Sequence, residues 1–265
     1  EVQALADHVP VLDDGKMIAT CAAAGLGQRE MAELMVGREL DMLYPHKQPQ
    51  TTAEPILEVT DLAVDHGTEK VSFSVRAGEV LGIGGMIGAG RTELIEGLMG
   101  LRPSEAVRVT VNGKEIASRS VRTLMEAGLV YLTEDRKGKG LLLDEKLGPN
   151  LTLQALDSVN PGSMLDKRAE FARLEQAVAD YDIRVRSLRL EAGKLSGGNQ
   201  QKLLLAKVMM ADPSVVIIDE PTRGIDIGNK SQIYAFIDAM VRAGKACIVI
   251  SSEMPKLVGL ADRVL

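Results

Sequence analysis

Cysteine and long apolar runs are scarce in this sequence of 265 residues, and its 31 basic residues are outnumbered by 37 acidic ones. Its two cysteines, Cys21 and Cys247, form no metal-ligand spacing, and such sparse use of cysteine suits a reducing compartment. The net charge of −6 argues against a broad nucleic-acid-binding surface. No apolar run approaches the roughly 18–20 residues that a membrane-spanning helix needs, and no signal peptide is recognisable. We therefore expect any membrane association to go through a partner protein.

The two ends of the sequence resemble each other. LADHV at residues 5–9 aligns with LADRV at residues 260–264, with one mismatch and an offset of 255 residues, from 5 to 260. Such a match arises by chance, or it marks a tandem duplication that the chain samples from late in one copy to the same point in the next. A start at Glu1 rather than at methionine also suggests a fragment.

The duplication predicts how the chain is divided. Residues 1–45 would be the tail of a preceding domain, with two strands about the turn DDGK and a helix near Gln28–Leu40. Residues 46–55, which contain prolines and few apolar residues, would be a linker. Residues 56–265 would form the second domain, truncated at its C-terminus.

Strand and helix patterns in this second part predict an α/β domain. Alternation of apolar and polar residues in ILEVTDLAV (56–64) and EKVSFSVRAGEVLGIGG (69–85) predicts antiparallel strands, and an Asn-Gly turn is predicted within AVRVTVNGKEI (106–116). Continuous apolar runs predict strands buried on both faces, in GLVYL (128–132), VVIID (215–219) and ACIVIS (246–251). Helical patterns lie between them, in DKRAEFARLEQAVADY, QQKLLLAKVMMA and KSQIYAFIDAMVRAG. A mainly parallel sheet with an antiparallel β appendage is therefore expected.

A glycine-rich segment, GMIGAGRT at residues 85–92, fits the phosphate-loop pattern G-x-x-x-x-G-K-[ST] except at Arg91, which stands in the lysine position. It lies between an apolar strand and a helical stretch, where backbone N–H groups and a helix N-terminus favour phosphate. Thr92 is placed to bind Mg²⁺. The candidate phosphate ligands are Gly85, Gly88, Ala89, Gly90, Arg91, Thr92 and Glu93. Taken alone, the motif is explained equally well as a tight strand-to-helix turn.

Two further motifs follow in order. VVIIDEPTRGID (215–226) is an apolar strand that ends in Asp219, which can hold Mg²⁺ through water, and Glu220, which can polarise an attacking water. Adjacent acids at a strand end are often only a solvated turn, but this run is unusually specific. LSGGNQQK (195–202) places Ser196 to cap a helix and leaves glycine N–H groups bare, which makes an anion site. The candidate ligands from these two motifs are Ser196, Gly197, Gly198, Gln200 and Asp226.

Together these motifs resemble those of the ATP-binding-cassette (ABC) ATPases from residue 56 onward. GAGRTEL, TEDRKGKGL, LSGGNQQK, DEPTRGID and ISSE are similar to the second half of tandem sugar-importer ATPases of the ribose, galactose and xylose type. MVGREL (35–40) resembles the end of their first cassette, which favours the duplication. The resemblance implies a P-loop NTPase core with a helical subdomain at about residues 118–194.

The resemblance also implies how such a cassette works. Cassettes pair face to face, so that each ATP, with Mg²⁺, lies between one phosphate loop and the other cassette's LSGG signature. The implied partners are an N-terminal cassette of the same polypeptide, a transmembrane sugar permease and, indirectly, a periplasmic sugar-binding protein, with no nucleic acid. The implied location is the cytoplasmic face of the bacterial inner membrane.

Four departures from the family pattern surround one nucleotide. Arg91 replaces the phosphate-loop lysine, Glu134 replaces the Q-loop glutamine, and Ser252 replaces the switch histidine. In addition, LAVDHGTEK (62–70) offers no aromatic ring to stack on adenine. Glu134, Ser252 and Glu220 remain the candidate catalytic residues, with Glu134 also a candidate Mg²⁺ ligand. We expect a weakened site here and a competent site where Ser196–Gly198 complete another cassette.

Two other functions remain open. A regulatory cassette would bind nucleotide without hydrolysing it, only to hold the pair closed. A non-transport ABC protein of translation or DNA maintenance would need no permease. The acidic balance and the match to the sugar-importer pattern favour the importer.

Overall fold

The structure is a computed structural model that describes residues 6–13, 16–25, 54–64, 69–86, 88–160, 164–225 and 227–265. In these residues the strands are β1 (His8–Asp13), β2 (Lys16–Ala22), β3 (Pro55–Val64), β4 (Val71–Arg76), β5 (Val80–Gly84), β6 (Ser104–Glu105), β7 (Arg108–Val111), β8 (Lys114–Glu115), β9 (Leu129–Leu132), β10 (Val215–Asp219), β11 (Ala246–Ser251) and β12 (Arg263–Val264). The α-helices are α1 (Arg91–Leu98), α2 (Val121–Glu126), α3 (Leu147–Thr152), α4 (Lys167–Asp180), α5 (Gly197–Met209), α6 (Ile227–Arg242) and α7 (Met254–Leu260). A π-helical turn covers Arg136–Gly140, and 3₁₀ turns cover Leu153–Val159 and Ala192–Lys194.

A five-stranded parallel sheet lies at the centre, in the order β12-β5-β11-β10-β9. Its middle strands are apolar throughout because each face is covered. In β10, Val216 and Ile218 point into one hydrophobic cluster, while Val215 and Ile217 point into the other. The sheet predicted from the three continuous apolar runs is confirmed.

An antiparallel sheet, β4-β3-β7-β8 with β6 paired to β3, contributes to the second cluster. Its β7–β8 hairpin turns at Asn112 and Gly113, both with positive φ, which is the two-residue turn that an Asn-Gly pair predicts. The prediction for residues 69–85 was wrong in part. This stretch is two strands, and the second, β5, lies in the parallel sheet with apolar residues directed to both faces.

The helical part of the domain packs on the first cluster through α3, α4 and α5. Asp166 caps α4 by accepting hydrogen bonds from the N–H groups of Arg168 and Ala169. The predicted helical range of about 118–194 starts too early, because it includes β9, a strand of the central sheet. The helices of this part, α3, α4 and α5, all follow β9, and the π-helical turn Arg136–Gly140 comes first among the helical elements after that strand.

The first described segment is an antiparallel hairpin of β1 and β2, which matches the two strands expected about DDGK. Its first strand begins at His8, the position that the internal repeat aligns with Arg263, where β12 begins. The two copies of the repeat therefore enter a strand at the same residue. The helix expected near Gln28–Leu40 lies outside the described residues, and the expected linker, 46–55, extends one residue too far, because β3 already begins at Pro55.

Among the described residues, no helix is both long and apolar enough to cross a membrane.

A pair of glycines tests how closely the turn after α1 is packed. Gly100 and Gly113 both have positive φ, but a Cβ at Gly100 would lie 2.4 Å from the Arg119 carbonyl oxygen, whereas one at Gly113 would meet nothing within 4 Å. We expect both alanine variants to carry backbone strain of roughly 1–2 kcal/mol, and G100A to lose a further 1–3 kcal/mol, roughly, from the clash. Urea unfolding measures both losses. Equal losses would show that the turn yields without cost.

Candidate functional site

The glycine loop between β5 and α1 has the geometry of a phosphate site. Gly88 and Gly90 have φ of 84° and 81°, and a Cβ at either would meet nothing within 4 Å, so the backbone conformation rather than crowding calls for glycine. Gly90 precedes α1 without a side-chain cap, which leaves the N–H groups of the first turn available to an anion. The N–H of Ala89 donates to the Met86 carbonyl oxygen, so it is occupied in this conformation.

The predicted metal-binding pair is assembled by the fold. Thr92 at the start of α1 donates its hydroxyl to Oδ2 of Asp219 at the end of β10, at 2.8 Å. Tyr131 of β9 donates to the same oxygen at 3.1 Å. Burial raises the pKa of Asp219, as do the charges of Glu134 and Glu220, while the two hydrogen bonds oppose the rise. A hydroxyl beside a carboxylate is a donor set that suits Mg²⁺ bound partly through water.

The carboxylate of Glu220 is heavily bonded. Oε1 accepts hydrogen bonds from the backbone N–H and the hydroxyl of Ser252, at 2.6 and 2.7 Å, and Oε2 accepts one from Ser251 at 3.1 Å. Burial by itself raises the pKa of Glu220, but these hydrogen bonds and the charge of Lys256 outweigh it and hold the pKa below its ordinary value. A carboxylate with a lowered pKa and both oxygens engaged is a poor proton acceptor.

Arg91 lies against this carboxylate. Its Nη1 is 3.8 Å from Oε1 of Glu220, in an ion pair whose side chains are 13% and 9% exposed. The same Nη1 is buried and has no hydrogen-bond partner among the residues that the structure describes. A buried donor without a partner is costly, so a phosphate oxygen that accepted its proton would relieve that cost. The residues present therefore fit an anionic nucleotide, although the arginine that would contact it is already attracted to an acid.

Several of these groups line one pocket of about 370 Å³. The pocket brings together the glycine loop, the Q-loop position, Glu220 after the end of β10 and the switch position. Four carboxylates and two guanidinium groups lie among its lining residues, which are Gly88, Ala89, Gly90, Arg91, Thr92, Glu93, Glu134, Glu220, Arg223, Ser252 and Glu253. Glu134, a candidate Mg²⁺ ligand, forms no hydrogen bond with Thr92 or Asp219 among the described residues. Its carboxylate instead accepts a hydrogen bond from Arg223.

Sequence reasoning missed three contributors to this pocket. Tyr131 supports Asp219, Ser251 supports Glu220, and Arg223 pairs with Glu134. Arg223 and Ser251 lie inside the quoted motifs DEPTRGID and ISSE, so their positions were visible, but not their partners. Tyr131 lies within the continuous apolar run GLVYL, which predicted a buried strand and gave no separate signal for the tyrosine.

The LSGG segment lies outside this pocket. Ser196 caps α5 as predicted, with Oγ accepting from the N–H of Asn199. Gln200, a predicted ligand, instead points into the protein: it is 4% exposed, and its amide donates to the carbonyl oxygens of Ala192 and Leu195. Asp226, another predicted ligand, lies outside the described residues. The chain therefore does not bring its own signature to its own phosphate loop.

Comparison with known sequences gives a consistent match. The family model for ABC transporters matches residues 68–223. The ribose import ATP-binding protein RbsA 2 of Rhizobium meliloti (strain 1021) is 43% identical over 267 residues, and the xylose import ATP-binding protein XylG of Escherichia coli (strain K12) is 42% identical over 274 residues. Both matches cover 100% of this chain but 52% and 53% of the relatives. The chain thus spans about half the length of the curated relatives it matches.

Comparison with solved structures shows the fold. A nucleotide-free ATP-binding cassette from an ABC transporter superimposes with a TM-score of 0.65 at 21% identity, over 80% of this chain and 88% of that one. The structure of cbiO1 from Clostridium perfringens superimposes with a TM-score of 0.64 at 21% identity, over 79% and 83% of the two chains. The predicted fold class, a P-loop core with antiparallel and helical parts, is confirmed.

Replacing Glu220 by glutamine tests the bonding of its carboxylate. Because the folded-state pKa lies below the ordinary 4.5, the ionised group stabilises the fold at neutral pH, and this contribution is lost as the pH falls below about 4.5 through the folded-state value. We expect E220Q to lower the free energy of unfolding at pH 7 by on the order of 1 kcal/mol. Urea unfolding at several pH values should show the difference shrinking in acid.

The matched control for that measurement is E126Q, because Glu126 is 72% exposed on α2, away from the pocket, and pairs along the helix with Arg122, which is 89% exposed. We expect its effect to stay within about 0.5 kcal/mol. A loss in E220Q that did not change with pH would contradict the role assigned to the ionised carboxylate.

Proposed function

The chain belongs to the ABC transporter family, and from this premise we propose that it is the C-terminal ATP-binding cassette of a bacterial sugar importer. Its relatives in sequence are named as ribose and xylose import ATP-binding proteins, each about twice as long as this chain. Residues 1–45 would then be the tail of an N-terminal cassette of the same polypeptide. The shared strand start at His8 and Arg263 supports this division.

The LSGG signature is the part of this cassette that keeps the family pattern unchanged. The segment Ser196–Gly198 begins a helix of thirteen residues outside the chain's own pocket, and the N–H groups of such a helix start can bind a phosphate. Such a segment serves a nucleotide held by the phosphate loop of the N-terminal cassette. The competent ATP site would therefore be composite, formed by both cassettes. Closure of the two cassettes on ATP would move a transmembrane sugar permease, which receives its sugar from a periplasmic sugar-binding protein. The cassette would lie peripherally on the cytoplasmic face of the inner membrane.

The chain's own pocket would bind ATP with Mg²⁺ and hydrolyse it slowly. Thr92 and Asp219 would hold the metal, which when bound supplies positive charge between the phosphates and the surrounding carboxylates. The first-turn N–H groups of α1 and Arg91 would hold the phosphates. The observation that carries the slow turnover is the bonding of Glu220, because a base whose pKa is lowered by Ser252 and Ser251 accepts a proton poorly.

The decisive experiment compares S196A with E220Q in the tandem protein. Because Ser196 serves the competent site and Glu220 serves the slow one, we expect S196A to lower steady-state ATP hydrolysis at least tenfold and E220Q to change it by less than about twofold. Measuring release of inorganic phosphate with and without the permease gives both values.

A ranking in the opposite order would refute the assignment of the two sites. The conservative variant S196T serves as the control, since it keeps the hydroxyl and should retain more activity than S196A.

A regulatory role is the second candidate, because the pocket keeps a buried, unpartnered donor at Arg91 while its base is compromised. In that case nucleotide in this pocket only stabilises the closed pair. R91A should then weaken binding of ATP to this pocket by about tenfold, the value of one charged hydrogen bond, and lower transport without changing binding at the composite site. Titration of a fluorescent ATP analogue and sugar uptake measure the two effects.

Unchanged transport in R91A, despite weakened binding, would exclude the regulatory role. R122A is a suitable control, because Arg122 is 89% exposed on α2 and pairs only with Glu126 along the helix.

A further inference from the structure

The pocket has an unusual balance of charge for a site that takes phosphates. Its lining carboxylates are Glu93, Glu134, Glu220 and Glu253, and Asp219 lies directly behind them. Arg91 is the cation nearest the glycine loop, and it is buried and drawn to Glu220. Among the described lining residues, this leaves Arg223 as the one cation that can offset the remaining acids.

Glu134 is the acid most in need of such an offset. It occupies the position where the family resemblance expects a neutral glutamine, so it adds a negative charge where a nucleotide would bring several more. An unpaired carboxylate at this place would repel phosphate and weaken binding.

Arg223 is built to pair with it. The backbone of Arg223 is fixed by a turn in which its N–H donates to the carbonyl oxygen of Glu220, at 3.1 Å. The preceding Thr222 is buried with its hydroxyl beside that of Tyr234. From this rigid base the Arg223 side chain, 68% exposed, extends to Glu134 and donates to Oε2. The Arg223 side chain is therefore anchored through its backbone, and its charged end is paired with Glu134.

From these observations we propose that Arg223 and Glu134 act as one charge-compensating unit: Arg223 neutralises Glu134 and so allows the phosphates of a nucleotide to occupy this pocket. The inference rests on the proposed nucleotide binding by the chain's own site. It makes Arg223 a positioning residue that acts through Glu134. The pair contributes little to folding, because both side chains are partly exposed and solvent screens them.

A double-mutant cycle on the 265-residue chain tests the unit. The probe is a fluorescent ATP analogue with Mg²⁺, titrated into the unchanged chain, R223A, E134Q and the double variant. R223A exposes the Glu134 charge, so we expect a loss of affinity of about tenfold, equal to about 1.4 kcal/mol. In the E134Q background the same substitution should cost less than about threefold, because no charge remains to be offset.

Several controls separate compensation from other roles. R223K keeps the charge and should retain most of the affinity, and high salt should reduce the R223A loss by screening. R122A should leave binding unchanged, and urea unfolding should show R223A folded as stably as the unchanged chain. An R223A loss of the same size in both backgrounds would overturn the inference by making Arg223 a direct phosphate ligand, and no loss would overturn it as well.

The outcome stays distinct from a failure of the proposed function. If the unchanged chain bound no Mg²⁺–ATP analogue, the charge-compensating unit would be overturned, while the effect of S196A on hydrolysis by the tandem protein would still decide the role of the signature. If S196A had no effect but the cycle showed coupling, the composite site would fail and the unit would stand.

Discussion

The parallel direction of the central strands is the constraint on which the site depends. Parallel strands bring their carboxyl ends to one edge of the sheet, and ligands of such sheets bind at that edge. Here the glycine loop follows β5, Glu134 follows β9, Asp219 and Glu220 stand at the end of β10, and Ser252 follows β11. The strands run parallel because the chain returns between them through crossover connections that contain helices, and these connections bury both faces of the sheet.

At that edge of the sheet, each of the three residues that depart from the family pattern contacts a charged side chain of the pocket. Ser252 occupies the switch position and donates twice to Glu220, and Arg91 occupies the lysine position and faces the same carboxylate. Glu134 occupies the glutamine position and is met by Arg223. Each substituted residue thus contacts another charged group of the pocket. The glycine loop keeps backbone geometry typical of a phosphate site, while hydrogen bonds from Ser252 and Ser251 hold the pKa of Glu220 below its ordinary value.

Much of this architecture could be predicted because it depends on local patterns. The hairpin at Asn112-Gly113 and the cap at Ser196 follow from the conformations and donors of single residues. The prediction from alternation was wrong in part at residues 69–85. Glycines interrupt the apolar residues of β5, so its sequence resembles that of a half-buried strand, although both of its faces are covered. The prediction of Gln200 as a ligand did not foresee its burial, because residue spacing within the signature does not say which side chains of α5 point into the protein.

The sequence alone determined the family, the order of the motifs and the identity of the substituted residues, because these are properties of residue type and spacing. Only the tertiary structure decided which charges meet. Thr92 and Asp219 are 127 residues apart, and Arg223 and Glu134 are 89 apart, so their contacts depend on strand order. The burial that raises the pKa of Asp219 and the hydrogen bonds that hold the pKa of Glu220 below its ordinary value also exist only in the folded chain. Arg91 shows the difference. In the sequence it is the one residue that departs from the phosphate-loop pattern, and in the fold it forms an ion pair with Glu220.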